Sequence, residues 1–280
     1  GSLGSEGTAQ HVAEAKRVLR HEVFRKRKST TASMSMRAGE QCAQIACESG
    51  LFDAHSSCIA CHVSMGTEVS TIPLLSIALG CGYRVLVPNV GADLSVGWTL
   101  LASLDDLLHM QTPQGEHAGM PPEPRGEMLP PQALEACSRI IVPALLVNLD
   151  GVRLGRGAAW YDRALRYANP RATLTAMCWP WEFVDAPLPC EEHDVRMSAV
   201  LTPREYRDLR SPPLTPSHSL RTFIPENYSP NIAVRSERII LRGELFSRFC
   251  RAIWGNNSLG ENNSLFLSVC AEHATVCQGI

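Results

Sequence analysis

The sequence predicts an α/β fold built on a mostly parallel sheet. Two observations carry this. Short continuous apolar runs of strand length, such as Arg139–Val147 and Thr173–Cys178, alternate with helical stretches. These runs also lack the in–out alternation of a sheet with one wet face, as strands covered on both faces do. The chain has 280 residues, 45% of them hydrophobic and 19% charged, enough to bury a sizeable core in one or two domains.

The elements follow in order. Val12, Leu19 and Val23 share one face of a helix over 11–28. A second helix is expected over Met36–Gly50, with Gly50 as its stop. A strand over Ile59–Val63 leads to a helix capped by Ser70 or Thr71, with Pro73 in its first turn and an end near Gly80. Tyr83–Pro88 reads as a strand stopped by its proline, and the Pro/Gly-rich stretch 111–131 as a loop. Arg139–Val147 reads as one strand, Gly151–Gly157 as a turn, and a helix begins near Tyr161. Thr173–Cys178 and Val195–Leu201 complete the strands. An α/β body over 11–209 is therefore expected, followed over 210–280 by a poorly ordered or loosely docked tail. Within the tail, 239–254 has the spacing of one amphipathic helix.

Charge and cysteine usage exclude several classes. The formal net charge of −2 gives no electrostatic case for nucleic acid or an anionic membrane. No apolar run approaches the roughly 20 residues that a spanning helix needs. The first seven residues lack a basic stretch followed by an apolar one, so a cytoplasmic setting is expected. Eleven irregularly spaced cysteines then read as reduced thiols that pack as small hydrophobes. Cys58-Ile59-Ala60-Cys61-His62 matches a haem-attachment pattern, but its apolar setting reads as a buried strand, and no second C-x-x-C completes a zinc site.

Four segments have residue types suited to chemistry. Arg153-Leu154-Gly155-Arg156-Gly157-Ala158-Ala159-Trp160-Tyr161-Asp162 follows an apolar strand, and its small residues and helix N-terminus suit an anion. Asp162, in the first helical turn, is placed to hold a divalent cation. On spacing alone the segment is equally a tight turn with a capping Asp. Lys16 and Arg20 stand i,i+4, a repulsive pair that a bound polyanion would offset, or part of a solvated basic face. Ser64–Thr71 lies after a strand, where parallel sheets bind ligands, and its Glu68 is either a ligand acceptor or a helix-entry acid. Glu191-Glu192-His193-Asp194 offers a second oxygen ligand in Asp194, or is a solvated acidic loop.

In this order, together with Glu123-Pro124, Val142-Pro143 and Leu201-Thr202-Pro203, the segments resemble the 5-formyltetrahydrofolate cyclo-ligase family over about residues 14–206. The resemblance implies a three-layer α/β sandwich with flanking helices. It also implies ATP- and Mg²⁺-dependent closure of 5-formyltetrahydrofolate to 5,10-methenyltetrahydrofolate by a monomer. It puts Lys16, Arg17, Val18, Leu19 and Arg20 near ATP, with the loop Arg153, Leu154, Gly155, Arg156, Gly157, Ala158, Ala159, Trp160 and Tyr161. Arg156 and Tyr161 take catalytic roles in it. Arg20, Val63, Glu68, Trp160 and Tyr161 face the folate, and Asp162 and Asp194 hold Mg²⁺. The family loop reads G-x-G-x-G, whereas Ala159 stands third here, Ala158 replaces Gly or Lys, and Trp160 replaces Tyr or Phe. Should the third position need φ > 0, Ala strains it by roughly 1–2 kcal/mol. A weakened relative that binds nucleotide or folate without turnover is thus the alternative reading, and an interaction protein acting through the tail is a third.

Overall fold

In a computed structural model of the chain, β1 (Cys58–Cys61) lies inside the main sheet and is buried along its whole length. The structure describes residues 3–52, 57–91, 93–110, 121–122 and 124–210. The expected tail, its helix over 239–254 and Glu123 all lie outside the described residues. Four parallel strands flank or extend from β1: β2 (Arg84–Val90), β4 (Arg139–Pro143), β7 (Thr173–Met177) and β9 (Ala199–Leu201). The antiparallel edge strands are β3 (Val96–Leu101), on β2, and β10 (Tyr206–Asp208), on β9. Among the described residues the sheet order is β10-β9-β7-β4-β1-β2-β3. Successive parallel strands go to opposite sides of β1, so the chain leaves the carboxyl ends of β1 and β4 in different directions. A crevice opens there, where α/β sheets bind ligands.

Helices cover both faces. α1 (Leu3–Arg27) and α2 (Ala32–Glu48) come first. Thr31 caps α2 by accepting from the Met34 N–H, so this helix starts four residues before the expected Met36. α2 packs beside α3 (Ile72–Gly80), with Gly39 so close to the Ser70 carbonyl that a Cβ would not fit. At the entry to α3, Ser70 Oγ accepts from the Ile72 N–H, while Thr71 is tied to Ser64 by reciprocal backbone–hydroxyl bonds. The short α4 (Leu104–Leu108) follows β3. On the other face, Trp160 and Ala164 of α5 (Trp160–Ala164) join Leu165, Leu134 and Trp98 over alternate sheet residues Cys58, Ala60, Leu86, Ile140, Val142, Ala176 and Val200.

Several boundaries differ from expectation. Pro88 does not stop β2. It sits opposite Trp98, whose N–H and C=O both bond Leu129, so the missing proline N–H removes no bond on that side. Pairing with β1 ends at Leu86, before the proline. The run 139–147 is two strands. β4 ends at Pro143, and β5 (Leu146–Asn148) joins a separate small sheet. Its partners are β6 (Arg153–Leu154), inside the expected turn, and β8 (Phe183–Val184). The break has a cause: the Pro143 and Ala144 carbonyls accept from Arg153 and Arg27 instead of a neighbouring strand. The edge strands β3 and β10 carry no periodicity that predicted them.

Candidate active site

A cavity of about 510 Å³ occupies the crevice. Its walls come from the loop after β1, the end of β2, the bend at 143–145, the loop 153–162, one face of α1 and the acidic loop 191–194.

Lys16 and Arg20 reach it from α1, whose cavity-facing and buried positions 16, 20, 23 and 27 recur at helical spacing. Arg17 points the other way and pairs with Glu14 on the surface, Val18 is exposed, and Leu19 packs against Val23, Leu145 and Leu154. These three of the five expected α1 contacts therefore do not line the cavity: Arg17 and Val18, at i+1 and i+2 from Lys16, lie around the helix from it, and Leu19 is taken up by its apolar cluster.

Two arginines shape the loop after β6. Arg153 donates from Nη1 to the Pro143 carbonyl and from Nη2 to Asp162 Oδ1 at 3.2 Å, while its Nε is buried without a partner. Gly155 lets that guanidinium lie close, since a Cβ there would come 2.7 Å from Arg153 Nη1 and the side chain would have to shift. Arg20 Nε donates to the Gly155 carbonyl at 2.9 Å. Its guanidinium lies against Gly157, whose φ of +108° also favours glycine. Ala159 then adopts φ 51°, ψ 18°, the left-handed conformation, at the start of α5. The loop is tied to the β2–β3 hairpin by Trp160 Nε1, which donates to Ser95 O, and by Arg163, which donates to Leu94 O and Ala158 O. Trp160 touches the cavity, but its indole is packed edge-on against Trp98 and its N–H is committed.

Loop 64–71 is held as firmly. Glu68 Oε2 accepts from the Met65 N–H at 2.9 Å, Ser35 Oγ donates to the Glu68 carbonyl, and Trp179 Nε1 donates to Thr67 O. Glu68 is thereby buried with Oε1 facing Arg156 at 3.7 Å. Arg156 is 40% exposed and lies over the Phe24 ring. Tyr161 lines the cavity under Arg153, and burial, with Glu68 nearby, holds its phenol well above the ordinary range.

Lys16 Nζ is clamped between Glu191 Oε2 at 2.7 Å and Asp194 Oδ2 at 2.6 Å. Burial opposes its charge, but the two carboxylates more than offset this and raise its pKa. Burial likewise opposes the Asp194 charge, and Lys16 with the Glu191 N–H brings its pKa below the usual value. Glu191, His193 and Asp194 bring their ligand atoms within 4.8 Å of one another. Asp162 is not part of that cluster; it faces the same cavity from the opposite loop, paired with Arg153.

The sequence reading missed Glu191 as a partner of Lys16, His62 on the cavity wall, and the buried pair Arg27–Glu182. Only Arg27 carried a signal, its spacing of eleven from Lys16 on one helix face.

The model of the 5-formyltetrahydrofolate cyclo-ligase family matches residues 12–203. The chain belongs to the 5-formyltetrahydrofolate cyclo-ligase family. A cyclo-ligase relative, the 5-formyltetrahydrofolate cyclo-ligase of Mycolicibacterium smegmatis, is 36% identical over 157 residues, covering 52% of this chain and 73% of its own. The cyclo-ligase fold is shared with the 5,10-methenyltetrahydrofolate synthetase of Aquifex aeolicus (TM-score 0.56, 22% identity, 76% of this chain and 98% of that one). It is also shared with that of Mycoplasma pneumoniae (TM-score 0.50, 15% identity, 67% and 98%). The expected three-layer α/β class is thus the class found.

Proposed function

We infer that the protein is an enzyme that closes 5-formyltetrahydrofolate to 5,10-methenyltetrahydrofolate, using ATP and releasing ADP and phosphate. The observation that carries this is the convergence of Lys16, Arg20, Arg153, Arg156 and a glycine-containing loop on one cavity that also holds Glu68.

The formyl group is an amide and a poor electrophile. Its oxygen attacks the γ-phosphate, the neighbouring secondary amine attacks the activated carbon, and phosphate leaves. Catalysis then consists mainly of positioning and charge neutralisation. Lys16, Arg20 and the loop amides of 155–159 hold the phosphates. Arg156, 40% exposed and 3.7 Å from Glu68, neutralises charge on the transferring group. Glu68 accepts from the N–H donors of the pterin beside Val63, and Tyr161, its proton tightly held, donates. Val63, Met65, Val90, Leu94 and Leu145 exclude water.

The donor set suits Mg²⁺, which takes hard oxygen ligands. Asp194 with Glu191 would hold it, and Asp162 faces the same cavity from the opposite loop. The ion supplies neutralisation of the phosphate charge. Lys16 and Arg153 keep these acids in place meanwhile, because a cation already sits against each. The working setting is a cytoplasmic monomer with ATP and the reduced folate as partners. No helix among the described residues is long and apolar enough to cross a membrane.

The test is methenyltetrahydrofolate formation, followed by absorbance with ATP and 5-formyltetrahydrofolate, alongside ADP release. Product and ADP in equal amounts support the reading. Binding of both ligands without product replaces it with the weakened relative.

A further inference from the structure

His62 lies immediately beyond β1, 3% exposed, on the wall of the cavity beside Val63. The mechanism above gives it no part, yet a buried imidazole at the carboxyl end of β1 is an unusual choice beside the apolar residues of that strand. Its Nδ1 lies 3.4 Å from the Ile141 carbonyl oxygen, which also accepts the His62 backbone N–H at 3.1 Å. A carbonyl only accepts, so the ring proton sits on Nδ1. Nε2 is therefore left with its lone pair.

Closure of the folate ring requires a proton acceptor. When the secondary amine bonds to the activated carbon, its N–H bond must break, with the electron pair remaining on nitrogen. The other groups of the cavity suit this poorly. Tyr161 is a phenol whose proton is held, Glu68 already accepts the Met65 N–H and faces Arg156, and Asp162 is paired with Arg153. Lys16 is a cation between two acids, and His193 stands half-exposed beside Glu191.

We propose that His62, oriented by the Ile141 carbonyl, is the general base of the cyclisation: Nε2 takes the amine proton as the carbon–nitrogen bond forms. The carbon–oxygen bond then breaks, both its electrons leave with phosphate, and the imidazolium returns its proton to the released phosphate or to water. The proposal rests on the function inferred above. The groups whose charge reaches the ring are Glu68 on the loop after β1, Arg27 on α1 and Arg153 on β6. Burial lowers the imidazole pKa from its ordinary 6.5, with the two arginines acting the same way and Glu68 and the Ile141 carbonyl opposing. The ring is thus neutral, and competent as a base, at neutral pH. Its protonation produces an acid limb in kcat below pH 6.5.

The experiment compares the wild-type chain with His62→Gln and His62→Phe, reading kcat and KM for both substrates across pH. A general base predicts a fall in kcat on the order of 10²-fold in both variants, little change in either KM, and loss of the acid limb. Undiminished kcat, or a raised KM at unchanged kcat, overturns the proposal and leaves the function standing. Absence of product from the wild-type chain overturns the function and the proposal with it. Imidazole nitrogen–proton NMR correlations of the wild-type protein at neutral pH give a readout independent of whether the variants fold. A Nδ1–H tautomer at His62 supports the assignment, and a Nε2–H tautomer overturns it.

Discussion

Ala159 shows what one side chain does to a loop. Its left-handed φ of 51° is held by contacts of the fold, Trp160 on Ser95 and Arg163 on Leu94, so the strain is a property of the folded chain. Ala in that region costs roughly 1–2 kcal/mol, and glycine loses roughly 0.4–1 kcal/mol through the greater freedom of its unfolded chain. Ala159→Gly is therefore expected to add up to about 1.5 kcal/mol of stability, a rise in Tm of a few degrees. Steady-state kcat/KM for ATP should stay near the wild-type value. A melting curve and ATP kinetics check both halves, and a faster enzyme at unchanged Tm would show that the strain is relieved on the way to the transition state. The departure from a third glycine was visible in the sequence. That the position really is left-handed was not, because φ there is set by Trp160 docking on Ser95 and Arg163 on Leu94.

At the scale of elements, α1 is the part whose sequence says least about its partners. Lys16 and Arg20 are legible as an i,i+4 pair, whereas in the sequence Arg27 stands in the basic run Arg25–Lys28, which reads as an extension of the solvated basic face. It is instead 2% exposed and donates bidentately to Glu182, at 2.6 and 2.8 Å, and to the Ala144 carbonyl. Nothing near Arg27 in the sequence announces this partner, since Glu182 is 155 residues away. Burial raises the Glu182 pKa despite the guanidinium beside it, so the pair is held against a desolvation cost. Glu182→Ala leaves Arg27 buried and uncompensated, and should lower unfolding stability by about 3–5 kcal/mol in a denaturant titration. The double variant Arg27→Met/Glu182→Leu should recover most of that loss. The middle of α1 is held by Lys16 between Glu191 and Asp194, and its pH range follows from the shifts. The Asp194 pKa is depressed from 3.8, so its contribution is complete above that pH and fades as pH falls through the lower folded value. The Lys16 pKa is raised from 10.5, so its contribution is complete below that pH and fades as pH rises through the higher folded value. Lys16→Met should thus melt below wild type by a constant interval over the neutral range, with the two curves converging under strong acid. An interval that persists unchanged as pH falls through the depressed Asp194 value would assign the loss to packing instead.

For the whole molecule, the family match ends at residue 203 and the last described strand, β10, at Asp208. A chain truncated after Arg210 is accordingly expected to keep the kcat and both KM values of the full chain. Loss of turnover on truncation would give residues 211–280 a part in the cyclo-ligase reaction. The sequence by itself determined the α/β class, the helix before β2 and the loop that enters α5. It also determined the residue types gathered on the cavity, because strand runs, caps and glycine turns are written within a few residues of one another. It could not determine where the run 139–147 divides, since the carbonyls of Pro143 and Ala144 are claimed by arginines from β6 and α1. Nor could it pair Lys16 with Glu191 and Asp194, 175 and 178 residues away, or set His62 against the Ile141 carbonyl across the sheet. Those choices belong to the tertiary structure because a buried charge or imidazole takes its partner from whatever the closed sheet brings beside it, and sequence spacing holds no record of that distance.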